Sequence, residues 1–191
     1  METIQEIKPA IYVGTYKKYN EGSIAGKWLD LSEFDDYDSF VVTCEELHRD
    51  ESDPEFMIQD FEGFPKAFYS ESGLPTEAVF DGIRHYFNEL TAEQQEAFDQ
   101  YCEYNLTGKM SGEIDFEEMF SDFEETFQGE YDSPKAYAEQ YIEDCYSSEL
   151  EALPLVISGN IEFESIAEEF RISGDIYYCR KDGSTFVFRS C

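Results

Sequence analysis

Between Ser111 and Glu151 the chain places 14 carboxylates against one basic residue, Lys135, and its 191 residues together carry 44 Asp and Glu against 13 Lys and Arg, a formal charge of -31. Carboxylates at i, i+3 and i+4 of an exposed helix stand about 5 to 6 Å apart and repel by about 0.2–0.5 kcal/mol per pair. A stable fold therefore requires apolar burial that outweighs this repulsion. Hydrophobic residues at 41% and aromatics at 17%, among them 17 Phe and 14 Tyr, can supply it, so the composition is that of a globular chain and not of a disordered polyanion. The length allows one large domain or two to three small ones. A field of this sign disfavours nucleic acid and anionic membrane and favours basic partner surfaces. Solubility alone, or adaptation to salt, is the plain alternative, but neither calls for so many aromatic rings.

Five cysteines, Cys44, Cys102, Cys145, Cys179 and Cys191, are odd in number and widely spaced without a CxxC. This pattern predicts reduced thiols, several of them in the core, in a cytoplasmic protein. The start, METIQEIKPA, lacks a basic segment followed by an apolar one, and no apolar run reaches the length of a membrane span. An unexported, soluble chain is expected.

Residues 10–31, AIYVGTYKKYNEGSIAGKWLDL, hold two strand-like runs flanking Asn20 and Gly22, which suit a hairpin connection. From Asp30 to Glu62 the chain turns acidic, with 13 carboxylates and one Arg. Phe40, Val41, Cys44 and Leu47 fit one helical face with Asp38 as its N-cap, and EFMIQDF after Pro54 reads as a third strand. Pro75 opens a helix with Val79, Ile83, Tyr86, Phe87 and Leu90 on a stripe; Thr91 and Gln94 form a capping box for a second helix, closed by Gly108. Phe116, Met119, Phe120, Phe123 and Phe127 then recur at helical spacing until Gly129 stops the helix. Ser133 and Pro134 start another, with Tyr137, Tyr141 and Cys145 inward. The amphipathic IEFESIAEEF precedes DIYYCRKDGSTFVFR, whose KDGS between alternating runs signals a hairpin. The pattern predicts an α+β protein: an N-terminal α+β domain at 1–70 with a three-stranded sheet and a helix, a small helical domain at 71–108, and a C-terminal α+β domain at 109–191.

Within FSDFEETFQGEYDSP, Phe120 to Pro134, five carboxylates are interleaved with four aromatic residues. Three readings compete: a core helix with a wet face, a metal or catalytic site, or a surface read by another molecule. Catalysis finds little support. Only two histidines exist, His48 and His85, so a His-rich metal site or a Ser-His or Cys-His nucleophile is poorly supplied. Pairs such as Glu124 and Glu125 carry no information among 44 carboxylates. DFEG at Asp60 and KDGS at Lys181 lack an EF-hand frame, and no GxGxxG or GxxxxGK occurs. No catalytic residue, cofactor or metal is therefore expected. A net 31 charges equal those on about 53 Å of duplex DNA, or about 15 base pairs, so an acidic body could compete for a DNA-binding groove.

IYVGTYKKYNEGSIAGKWLDL at 11–31, ELHRDESDPEFMIQDFEGF at 46–64, FEETFQGEYDS at 123–133 and NIEFESIAEEFRISGDIYY at 160–178 together resemble the ArdA antirestriction proteins. The resemblance covers nearly the whole chain from Ile11 and rests on several motifs in order. It implies an elongated chain of three small domains, mixed sheet and helix at both ends with a small helical domain between. It also implies a homodimer through the C-terminal region that mimics B-form DNA, occupies the DNA-binding groove of type I restriction-modification enzymes, binds no nucleic acid or membrane itself, and is encoded on mobile elements. The family's antirestriction motif maps onto Phe123 to Ser133. Partner-binding residues are then expected at Asp115, Glu117, Glu118, Asp122, Glu124, Glu125, Glu130 and Asp132, with Phe123, Phe127 and Gly129 in structural roles. The first nine or ten residues look like an extension of the family pattern, and Pro134 with Lys135 stand where more acidic residues are usual. An acidic adaptor for another basic or DNA-binding partner is the rival reading.

Overall fold

In a computed structural model that describes residues 7–106 and 114–190, the chain is a mixed α+β protein with two three-stranded antiparallel sheets. Its internal contacts group into two compact units, residues 1–95 with 105–117 and residues 96–104 with 118–191. Formal charge divides almost evenly: the first unit holds 24 carboxylates against 8 basic residues, net -16, and the second 20 against 5, net -15.

The first unit is built on β1 (Ala10–Thr15), which pairs with β2 (Lys27–Asp30) on one side and β3 (Phe56–Glu62) on the other. As the central strand, β1 is buried at nearly every position, and Ile11 and Val13 face a core shared with Leu29 and Ile58. The strand does not run on toward Asn20 as the sequence suggests. Residues Tyr16–Asn20 form a short helix, α1, because the Thr15 hydroxyl accepts the Lys18 amide at 3.3 Å and caps it. Helix α2 (Tyr37–Leu47) is likewise capped two residues earlier than expected. Asp36, not Asp38, accepts the Ser39 amide at 2.8 Å, and the Ser39 hydroxyl returns to the Asp36 amide in a capping box. Asp38 lies in the first turn, where a negative charge suits the helix dipole. Phe40 and Cys44 are buried and Val41 and Leu47 only partly so. Phe40 stacks on Phe80 of α3 (Glu77–Glu89) with centroids 5.3 Å apart. Val79, Ile83, Tyr86 and Leu90 are buried as their spacing predicts, with Phe87 half-buried. The Thr91–Gln94 box opens α4 (Ala92–Asn105), the Thr91 amide donating to Gln94 Oε1 at 2.9 Å and the Gln94 amide to Thr91 Oγ1 at 3.3 Å. Gly108 lies outside the described residues.

The second unit takes most of α4 and of α5 (Phe116–Thr126), then β4 (Phe127–Tyr131), α6 (Pro134–Ala152), α7 (Leu155–Ser158), α8 (Phe163–Ser173), β5 (Ile176–Lys181) and β6 (Ser184–Arg189). Its sheet has the order β4-β6-β5. Asp182 and Gly183, both at positive φ (51° and 97°), turn β5 into β6 with Lys181 opposite Ser184, the backbone that a two-residue primed turn requires. Phe98, Phe123, Phe186, Val187 and Phe188 are fully enclosed. Tyr137, Ile176 and Val187 form a second cluster under α6 and α8, flanked by Tyr131, Tyr141, Phe170 and Tyr178. Ser133 caps α6 through the Ala136 amide, 3.2 Å, with Pro134 at the first position. The helix breaks at Tyr146, whose φ of -132° and ψ of 26° are not helical. Cys145, expected inward, is exposed just before this break. Cys44 and Cys102 are buried as expected, and desolvation pushes the Cys44 thiol up to about 12.

Candidate functional site

The stretch from Asp115 to Asp132 crosses a helix and a strand and ends one residue before the Ser133 cap of α6. Helix α5 presents Phe116, Met119, Phe120 and Phe123 inward, all buried, as a 3.6-residue period demands. In the second unit, Phe120 stacks on Phe98 at 4.7 Å and Phe123 meets Phe98 edge-on at 5.0 Å. The helix ends at Thr126, whose hydroxyl turns back onto the Asp122 carbonyl at 2.6 Å. Phe127 is therefore not the last residue of the helical stripe but the first of β4; it still reaches the same core, stacked on Phe123 at 5.3 Å and tilted against Phe188 at 5.4 Å.

Gly129 does not stop a helix either. It lies inside β4 with φ at +118°, where the pairing with β6 slips between Phe127 and Gly129. A bulge at that φ strongly favours a residue without Cβ, so glycine remains a backbone requirement for a reason other than the one its spacing suggested.

All eight expected partner-binding carboxylates, Asp115, Glu117, Glu118, Asp122, Glu124, Glu125, Glu130 and Asp132, are exposed. Glu118, Asp122 and Glu125 fall at i, i+4 and i+7, one flank of α5, and Glu124 falls on the other side of the apolar stripe. Among the described residues, the carboxylates of Asp122, Glu124, Glu125 and Asp132 carry no salt bridge or side-chain hydrogen bond. Glu130 accepts a hydrogen bond from the Ser184 hydroxyl across the sheet. The nearest cation in sequence, Lys135, is engaged elsewhere, at 3.1 Å from Glu164 and 3.9 Å from Glu139. The Glu164 hydrogen bond holds its ammonium pKa above the usual 10.5. The described part of this stretch is thus a set of outward acceptors.

The two histidines stand apart from this surface in sequence and role. His48 is the buried C-cap of α2, and His85 lies within α3. In the first unit His48 gathers with Asp50 and Glu51, the one group of metal-ligand types found among the described residues. The Lys18 ammonium that joins these three side chains lies 30 residues away from His48 in sequence, so the assembled cluster leaves no local pattern. Strand β4 was missed, since Phe127 continues the helical spacing of Phe120 and Phe123.

No helix of the described residues is long and apolar enough to cross a membrane. No curated protein matches the chain. The family described as antirestriction protein (ArdA) matches residues 11–183, almost the whole length and both units, and the chain belongs to that antirestriction family, which is not a family of catalysts.

Proposed function

We propose that the chain acts by charge mimicry: its exposed carboxylates stand in for the phosphates of B-form DNA and occupy the DNA-binding groove of type I restriction-modification enzymes. Membership of the ArdA family implies antirestriction and interaction with restriction enzymes. The observation that carries the finer reading is the unpaired state of Asp122, Glu124, Glu125 and Asp132 around an inward aromatic stripe. Carboxylates kept only for solubility would tolerate neighbouring lysines, yet from Ala136 to Phe170 the chain has nine carboxylates and no Lys or Arg. Such groups meet the Lys and Arg of a DNA-binding groove and act collectively, with each contact contributing to a steep salt dependence.

The test is competition: increasing amounts of the purified chain displace labelled duplex from a type I methyltransferase, and displacement fades as salt rises. If the enzyme fails to bind the chain at low salt, the reading falls and the acidic adaptor takes its place.

The same proposal includes a homodimer through the C-terminal region. Leu155 at 89%, Val156 at 75% and Ile157 at 51% exposure form an apolar run on α7 within the second unit, the kind of surface that a partner covers. Leu155→Glu with Val156→Glu is expected to halve the mass seen by light scattering; an unchanged mass removes this surface from the dimer interface.

A further inference from the structure

Lys18, His48, Asp50 and Glu51 meet at the end of α1 and the turn that follows α2. The Lys18 ammonium lies 3.1 Å from His48 Nδ1, 2.9 Å from Asp50 Oδ1 and 3.5 Å from Glu51 Oε1. His48 is 1% exposed and the Glu51 side chain 5%. His48 Nε2 faces the Val13 carbonyl at 3.3 Å. A carbonyl only accepts, so Nε2 carries the ring proton and Nδ1 presents a lone pair toward Lys18. The Thr15 hydroxyl donates to Glu51 Oε1 at 2.8 Å and orients that carboxylate.

This is the arrangement a metal ion uses: one neutral imidazole whose other nitrogen is held by a backbone carbonyl, and two carboxylates, one of them itself oriented by a hydrogen bond. The three ligand atoms lie within 4.8 Å of one another. Ligands about 2.0–2.2 Å from a tetrahedral zinc stand about 3.3–3.6 Å apart. The 4.8 Å bound leaves room for the three to be held by hydrogen bonds of about 3 Å around Lys18 and to close in on metal bonds of about 2 Å.

We propose that His48, Asp50 and Glu51 form a site for a divalent transition metal of the zinc class, and that the Lys18 ammonium is its resident, displaceable cation. Lys18 sits on a five-residue helix with its side chain 18% exposed, so it can leave toward solvent while the three ligands close in. A bound metal ties α1 to the turn after α2 as Lys18 does, with two positive charges instead of one.

Cobalt(II) is the probe, because its visible absorption reports low-symmetry coordination, with zinc competing it away. The full wild-type chain is expected to take up one cobalt saturably. Lys18→Met removes the competing ammonium and tightens uptake about tenfold or more, the scale on which supporting contacts alter metal affinity. Asp50→Asn, at a side chain 64% exposed and so tolerated by the fold, weakens uptake about ten- to a hundredfold in either background. The proposal is overturned if the wild type shows no saturable cobalt band, if Lys18→Met, folded by circular dichroism, binds no tighter, or if Asp50→Asn changes nothing. The last result would assign the metal to other carboxylates or thiols.

Discussion

The two units carry almost the same net charge, -16 and -15, and two acidic stretches within them use it differently. In the first, four of the nine carboxylates from Asp30 to Glu51 are tied down: Asp30 to Lys8 at 2.8 Å, Asp36 to the Ser39 amide, Asp50 to Lys18 at 2.9 Å, and Glu51 to Lys18 and Thr15. In the second, Glu164 and Glu168 pair with Lys135 and Arg171, but Asp122, Glu124, Glu125 and Asp132 stand exposed and unpaired around rings that are buried. Net charge alone does not distinguish a surface that is held from one that is displayed; partner groups do. Caps and ion pairs convert repulsion into local structure at Asp30, Asp36, Asp50 and Glu51, whereas along α5 and β4 aromatic packing tolerates the repulsion.

The contrast can be broken most forcefully by neutralising Asp122, Glu124, Glu125 and Asp132 together to Asn or Gln. Competition with DNA on a type I methyltransferase is then expected to weaken steeply, its log–log salt slope falling by about three units, while thermal stability holds or rises. Loss of stability instead would mean that these carboxylates support the fold. Phe123→Ala attacks the packing side: the ring is fully buried against Phe98, Phe127 and Phe188, and its loss is expected to cost about 3–5 kcal/mol in urea unfolding. Gly129→Ala, forced to a φ of +118°, is expected to cost about 1–3 kcal/mol by the same measurement.

A smaller effect separates the first unit by pH. Burial raises the Asp30 carboxyl pKa, but Lys8 and Ser32 outweigh it and hold the group below its usual 3.8. A depressed carboxyl contributes stability above its unfolded pKa and loses it as pH falls through the folded value. The difference in melting temperature between wild type and Asp30→Asn is therefore expected to be full above pH 3.8 and to shrink below it, read from about pH 5 to about pH 2. A constant difference would remove the ionised carboxylate from the stability of this unit. Glu124→Gln alone is the smallest change, with inhibition and stability both expected to stay near wild type. Abolished inhibition would overturn the collective action of the charges.

Periodicity made most of the core readable. Phe120 and Phe123 were placed inward by helical spacing alone, and the box of Thr91 and Gln94 and the cap of Ser133 with Pro134 follow from local hydrogen-bond chemistry that neighbouring residues encode. Phe127 shows the limit. Four residues after Phe123 a helix and a strand both deliver a ring to the same core, so the pattern did not reveal where the backbone changed. The Tyr16–Asn20 helix was hidden for the opposite reason, because Tyr-rich alternation mimics a strand and only the Thr15 cap decides against it. Within the candidate surface the exposure of all eight acidic residues matched their positions in the pattern. The ties of Asp30 and Asp50 to lysines 22 and 32 residues away did not show in the sequence, because long-range pairing leaves no local trace.

The break at Tyr146 gives α6 two axes instead of one. Along a straight helix each residue advances about 1.5 Å on a single line, so Glu139, Glu143, Asp144, Glu149 and Glu151 would be carried, on several faces, along one axis. With the break, the first three follow one heading and the last two another. A rigid, straight track of cations can lie along either segment but not both, whereas a groove that turns can follow the corner.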